Sequence, residues 1–139
     1  MWIYNSEGFF SVVQNHECSE NELMVRARCK QDLENLLRLL PSSEPLEIIE
    51  TMSADYAYRV KVCKRDFADY LFATAMGVKY PNFKNSLPKN DDLRRMTYED
   101  VWSAMYQWQA RLKRLAFQNK TTRRRNDETN SSTEQGRRG

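Results

Sequence analysis

The sequence predicts an α+β fold: an antiparallel sheet of about four strands, two helices on one of its faces, and a further helix at the C-terminal end. Three observations predict it. Residues 22–29 and 56–63 alternate apolar and polar side chains with the period of a half-buried strand. Residues 30–40 and 64–76 then switch to the spacing of a helix with one apolar stripe. The resulting order, β-β-α-β-β-α and a last helix, interleaves strand pairs with single helices, as layered α+β domains do. A β-α-β-β-α core within that order permits a ferredoxin-like arrangement.

Each element has its own signal. Residues 2–4 and 9–14 read as extended, with Asn5-Ser6-Glu7-Gly8 as a turn or kink between them. Residues 15–21 are polar and form a loop. In 22–29, Leu23, Val25, Ala27 and Cys29 share one face, and Met24, Arg26 and Arg28 the other. Leu33, Leu36, Leu37 and Leu40 follow at i, i+3, i+4 and i+7, and Pro41 ends that helix. Residues 46–52 read as a short strand and Ser53-Ala54-Asp55 as a turn. In 56–63, Tyr56, Tyr58, Val60 and Val62 face one way, toward the core, and Arg59 and Lys61 the other. Phe67, Tyr70, Leu71 and Thr74 give the second helix its core face, and Gly77 terminates it. Residues 80–90 are irregular. Thr97 reads as the N-cap of a third helix over 98–117, with Asp100 completing a loose capping box. Val101, Met105, Trp108 and Leu112 form its stripe, which reads as core. Trp102 and Trp108 lie about 120° apart around it, so one of them faces a partner or a second copy of the chain.

After Gln118 the composition collapses to polar and charged residues. The reading is one domain over 1–118 and a disordered basic tail over 119–139. Residues 1–119 carry 16 Lys and Arg against 16 Asp and Glu, so the net charge of +3 resides in the tail. Between Arg111 and Arg125 there are seven cations and no acid: Arg111, Lys113, Arg114, Lys120, Arg123, Arg124 and Arg125. The first three would offset the negative end of the third helix. The others favour an anionic partner through non-specific, salt-sensitive contacts, or serve only to solubilise.

Some functions are disfavoured. No apolar stretch is long enough to span a bilayer, and no signal peptide is apparent, so a cytoplasmic protein is expected. Cys18, Cys29 and Cys63 match no zinc spacing and read as reduced thiols. No metal and no cofactor is expected. His16 is the only imidazole available to serve a thiol as base, and neither a Gly-rich phosphate loop nor a nucleophile elbow occurs. The chain therefore reads as non-catalytic.

Met1-Trp2-Ile3-Tyr4 with Gly8-Phe9-Phe10-Ser11-Val12-Val13, Val25-Arg26-Ala27-Arg28 with Asp32-Leu33-Glu34 and Leu36, Ala54-Asp55-Tyr56 with Tyr58-Arg59, Asn82-Phe83-Lys84 after Tyr80, and Val101-Trp102 form a set of local patterns. Together they resemble a family of small uncharacterised bacterial and phage proteins. The resemblance covers roughly residues 1–110 and implies no activity. Asp55, Tyr56, Asn82 and Phe83, with Arg26, Arg28, Arg59 and Lys84, are where a shared site would lie.

The residues that would carry function form a basic surface. Arg26 and Arg28 on one strand and Arg59 and Lys61 on another would place four cations on one sheet face, joined by Lys84 and by Arg111, Arg114, Arg123, Arg124 and Arg125. Guanidinium groups pair with phosphates and stack on bases. The same face could instead be solvated and balanced by Glu47, Glu50 and Asp55, or meet an acidic protein. With Tyr56 and Tyr58 turned to the core, it would lack the aromatics on which sheet-type RNA binders stack bases. Nucleic acid or a nucleoprotein complex is the first expectation. The alternatives are a phage-type modulator of a host defence or nucleic-acid-processing complex, and an enzyme with its site near Asp55, Asn82 and Lys84.

Overall fold

The computed structural model describes the backbone of residues 1–135 and the side chains of residues 1–123. The chain divides into two compact units, Met1–Pro88 and a second that begins at Lys89.

The first unit contains β1 (Trp2–Tyr4), β2 (Phe9–Val13), β3 (Glu22–Ala27), α1 (Lys30–Leu39), β4 (Ile49–Glu50), β5 (Tyr58–Cys63), α2 (Lys64–Met76) and a short 3-10 helix, Phe83–Ser86. The strands form one sheet in the order β1-β2-β3-β5-β4, every neighbouring pair antiparallel. Because β3 and β4 both run opposite to β5, they are parallel to each other with β5 between. That is the split β-α-β unit of ferredoxin-like folds. No strand follows α2 among the described residues. The place beside β3 is taken by β2, which enters from the N-terminal side.

The α+β class is as the sequence predicts; the strand count is five rather than four. Asn5–Gly8 folds β1 fully back on β2, so residues that look like one kinked extended run form two paired strands. The strand expected over 46–52 shrinks to Ile49–Glu50. Leu46 and Ile48 are instead half-buried against the core.

Alternation explains the core. Phe10 and Val12 of β2, Val25 and Ala27 of β3, and Val60 and Val62 of β5 point to one face. There they meet Leu33, Leu36 and Leu40 at the start, middle and end of the α1 stripe, and Phe67 and Tyr70 of α2. All eleven are at most 8% exposed, which makes this the main source of stability at about 1.5–3 kcal/mol for each large apolar side chain buried.

Polar bonds fix the β1–β2 turn to both helices. Asn5, itself buried, accepts the Gly8 and Glu7 backbone N–H groups on Oδ1 at 3.1 and 3.2 Å. Its Nδ2 donates to the Tyr70 hydroxyl of α2 at 2.6 Å. Burial raises the pKa of Tyr70, against the opposing effect of that bond. From α1, Asp32 accepts the Phe9 N–H at 3.0 Å, and Asn35 donates to the Glu7 carbonyl at 2.8 Å. The hairpin that carries Trp2, Tyr4 and Phe9 is thereby held in one position.

The second unit consists of α3, Asp92–Gln135. It starts earlier than the sequence predicts, because Asp91 rather than Thr97 caps it. Asp91 accepts the Arg94 N–H at 3.0 Å, while the Thr97 hydroxyl donates to the Leu93 carbonyl inside the helix. It also ends later. The helix runs past Gln118, so Arg111, Lys113 and Arg114 lie within it and no longer offset its C-terminal end. Of the stripe expected to be core, Val101 is half-buried and the rest is exposed: Met105 56%, Trp108 56% and Leu112 46%. A unit made of one helix has no interior to receive it. Trp102 stacks on Tyr106 with ring centroids 5.5 Å apart.

The Arg94 backbone N–H, and then the Arg94 side chain, hold the Asp91 carboxyl below its usual pKa. A lowered folded-state pKa gives stability that is present above the unfolded value and lost as pH falls through the folded one. The helical circular-dichroism signal is therefore expected to weaken below about pH 4. Asp91→Asn, which keeps a good cap, should flatten that decline. An unchanged acid titration in this variant would assign the decline to other carboxyls.

Candidate nucleic-acid interface

Helices α1 and α2 cover one face of the sheet. The opposite face takes the other parity of each strand. The register sets Trp2 opposite Ser11, Ser11 opposite Arg26, Arg26 opposite Arg59, and Arg59 opposite Ile49. One row of side chains thus crosses all five strands, with two arginines at its centre. A second row carries Met24 opposite Lys61, and a third Tyr4 opposite Phe9.

The arginines are held but not neutralised. Arg26 donates from Nη2 to the Ser11 hydroxyl at 2.8 Å, and its guanidinium lies 4.8 Å from the centre of the Tyr56 ring. Arg59 donates from Nη2 to the Thr51 hydroxyl at 2.6 Å. The Nε atoms of both are buried without a hydrogen-bond partner. Neither has a carboxylate partner among the described residues. Arg28 differs: it pairs with Asp55 at 3.1 Å and lies 4.6 Å from the same Tyr56 ring.

Aromatic side chains reach this arginine cluster. Trp2 meets Phe9 edge-on at 5.5 Å, Phe9 meets Tyr4 at 4.6 Å, and Phe9 lies 6.5 Å from Tyr56. Trp2 is 74% exposed. Burial and, next, the charge of Asp32 raise the Tyr4 pKa.

This corrects the expected position of Tyr56. Strand β5 begins at Tyr58, so Tyr56 lies in the preceding turn and its parity does not follow the strand. Tyr58 packs against the core as expected. Tyr56 is buried as expected, at 7% exposed, but beneath Arg26 and Arg28 rather than in the main core cluster, and the exposed aromatic of the basic face is Trp2. Trp2, Tyr4 and Phe9 were not legible as members of this face, because their side depends on the register across the Asn5–Gly8 turn.

Of the residues expected to share a site, Arg26, Arg28, Asp55 and Tyr56 are joined by direct contacts, and Arg59 adjoins them across the sheet. Lys61 lies on the same face. Asn82, Phe83 and Lys84 are on the connection after α2. There Asn82 caps the 3-10 helix by accepting the Lys84 N–H at 2.9 Å, and Phe83 lies 6.3 Å from Tyr80. Arg111, Arg114 and Arg123 are exposed on α3, in the second unit. The side chains of Arg124 and Arg125 lie outside the described residues.

Among the described residues no cluster of His, Cys, Asp and Glu could hold a metal ion. None of their helices is long and apolar enough to cross a membrane. No family model matches the chain, and neither a curated protein nor a solved structure matches it.

Proposed function

We propose that this protein binds single-stranded nucleic acid, free or within a nucleoprotein complex, on the sheet face that carries Arg26, Arg59 and Trp2. The observation that carries the reading is the arginine pair. Like charges directly opposite on neighbouring strands are destabilising, and here no acid offsets them. Each guanidinium also keeps a buried N–H without an acceptor. A phosphate oxygen at the accessible part of either guanidinium would supply the missing charge, because guanidinium geometry matches phosphate. The exposed ring of Trp2 adds a surface on which a base can stack, at about 1–3 kcal/mol per stacked base. Lys61 and the basic run of α3 add electrostatic affinity without sequence preference. The free thiols Cys29 and Cys63, both exposed, suit a reducing cytoplasm.

The test is fluorescence anisotropy with labelled single-stranded and duplex oligonucleotides between about 50 and 200 mM salt. Single strands are expected to bind more tightly than duplex, with an affinity that falls steeply with salt. Trp2→Leu should weaken single-strand binding about tenfold or more, the loss of one stacked base, without changing the salt dependence. Absence of binding at the lowest salt would refute the reading. Equal binding of single strands by parent and Trp2→Leu would remove stacking from it.

A further inference from the structure

Helix α3 carries a second feature, independent of nucleic-acid binding. Val101, Met105, Trp108, Leu112 and Leu115 follow one another at spacings of four, three, four and three. That is the narrow seam of a coiled coil rather than the broad stripe of a helix lying on its own domain. Asn119 takes the next seam position and ends the apolar run. Met105, Trp108, Leu112 and Leu115 are 46–56% exposed. With Trp102 on its flank, the seam offers on the order of 600 Å² of apolar surface per chain, given the areas large side chains can bury. Two such seams together exceed the roughly 1,000 Å² that a specific interface needs.

We infer that α3 pairs with α3 of a second copy of this chain, and that the two run antiparallel. A partner with the same spacing satisfies knobs-into-holes packing along the whole seam. Charge selects the direction. Residues 91–100 hold four acids and two cations, whereas residues 111–123 hold five cations and no acid. Parallel helices would bring the two basic stretches together. Antiparallel helices set each beside the other's acidic start, within the ~8–10 Å over which charges act at physiological salt. Centred near residues 106–107, the antiparallel register packs Met105 against Trp108 of the second copy, and Val101 against Leu112.

Sedimentation velocity on the full chain, without nucleic acid, tests this. The expected species is a dimer of the 16.5 kDa chain whose dissociation constant rises with salt. Trp108→Glu with Leu112→Glu should raise that constant by on the order of 100-fold, since central aromatic anchors dominate interfaces. The same variant should keep the β-sheet circular-dichroism signal, because the sheet contains neither residue. A monomer at all concentrations, or a dimer that survives the double substitution, would overturn the proposal. A dimer tightened by salt would overturn the antiparallel arrangement.

Discussion

Gly8→Ala is expected to destabilise the protein by about 1–3 kcal/mol, the usual cost of forcing a methyl group into a filled site. The cause is contact and not backbone conformation, since no glycine among the described residues has a positive φ. A Cβ at position 8 would stand 2.5 Å from Asp32 Cγ and 2.6 Å from Asp32 Cβ. Asp32 has little room to yield. It is 5% exposed, and its carboxylate holds the Phe9 N–H. Moving the helix away instead would strand that N–H and strain the bonds from Asn5 and Asn35. Gly77 is the control: its added Cβ would come no closer than 3.3 Å, to the Ala73 carbonyl oxygen, at the exposed end of α2. Urea midpoints should separate the two variants clearly. Equal losses in both would show that the Asp32 contact is not the cause. Because the same turn carries Trp2 and Phe9, Gly8→Ala should also weaken oligonucleotide binding at temperatures where the protein is still folded.

How far the sequence reveals this molecule depends on how local each signal is. Strands β3 and β5 and both packed helices were legible because their periodicity lies within single segments. The bounds of α2 follow directly from Lys64 after the strand and Gly77 after the last turn. Properties that join segments were less legible. The side on which Trp2 and Phe9 fall requires the β1–β2 register, and that register depends on Asn5 holding Gly8 and on Asp32 holding Phe9 across 23 residues of chain. Tyr56 was assigned by extending the β5 alternation backwards through a turn, where period-two parity no longer holds. From the sequence Thr97 reads as the α3 cap, and Asp91 is missed. Asp91 prevails because its carboxylate takes both the backbone N–H and the guanidinium of Arg94. The α3 seam was visible as a pattern, but a single helix cannot bury it, so periodicity alone gave the wrong burial.

Charge reversal at the arginine pair separates binding from folding. Arg26→Glu is expected to reduce single-strand affinity by at least about tenfold at low salt, since it removes one phosphate contact and adds a repelling charge. The same substitution loses the Ser11 hydrogen bond and the Tyr56 ring contact, but the introduced carboxylate stands opposite Arg59 and turns a like-charge pair into an opposite one, worth about 0.2–1 kcal/mol, so stability should change little. Arg59→Glu should behave in the same way opposite Arg26, at the loss of the Thr51 bond. Combining the two restores a like-charge pair, now negative. The double variant should therefore be less stable than either single one, bind most weakly, and show a salt dependence shallower than the parent's by about two phosphate contacts. A solvated face with no ligand predicts the same stability pattern and no change in binding. A purely structural arginine pair predicts that affinity falls only as far as stability does. The binding reading alone requires Arg26→Glu to lose more affinity than its change in stability accounts for. Anisotropy titrations and urea unfolding of the same four proteins decide among the three, and a fully stable Arg26→Glu with parental affinity would remove this face from the site.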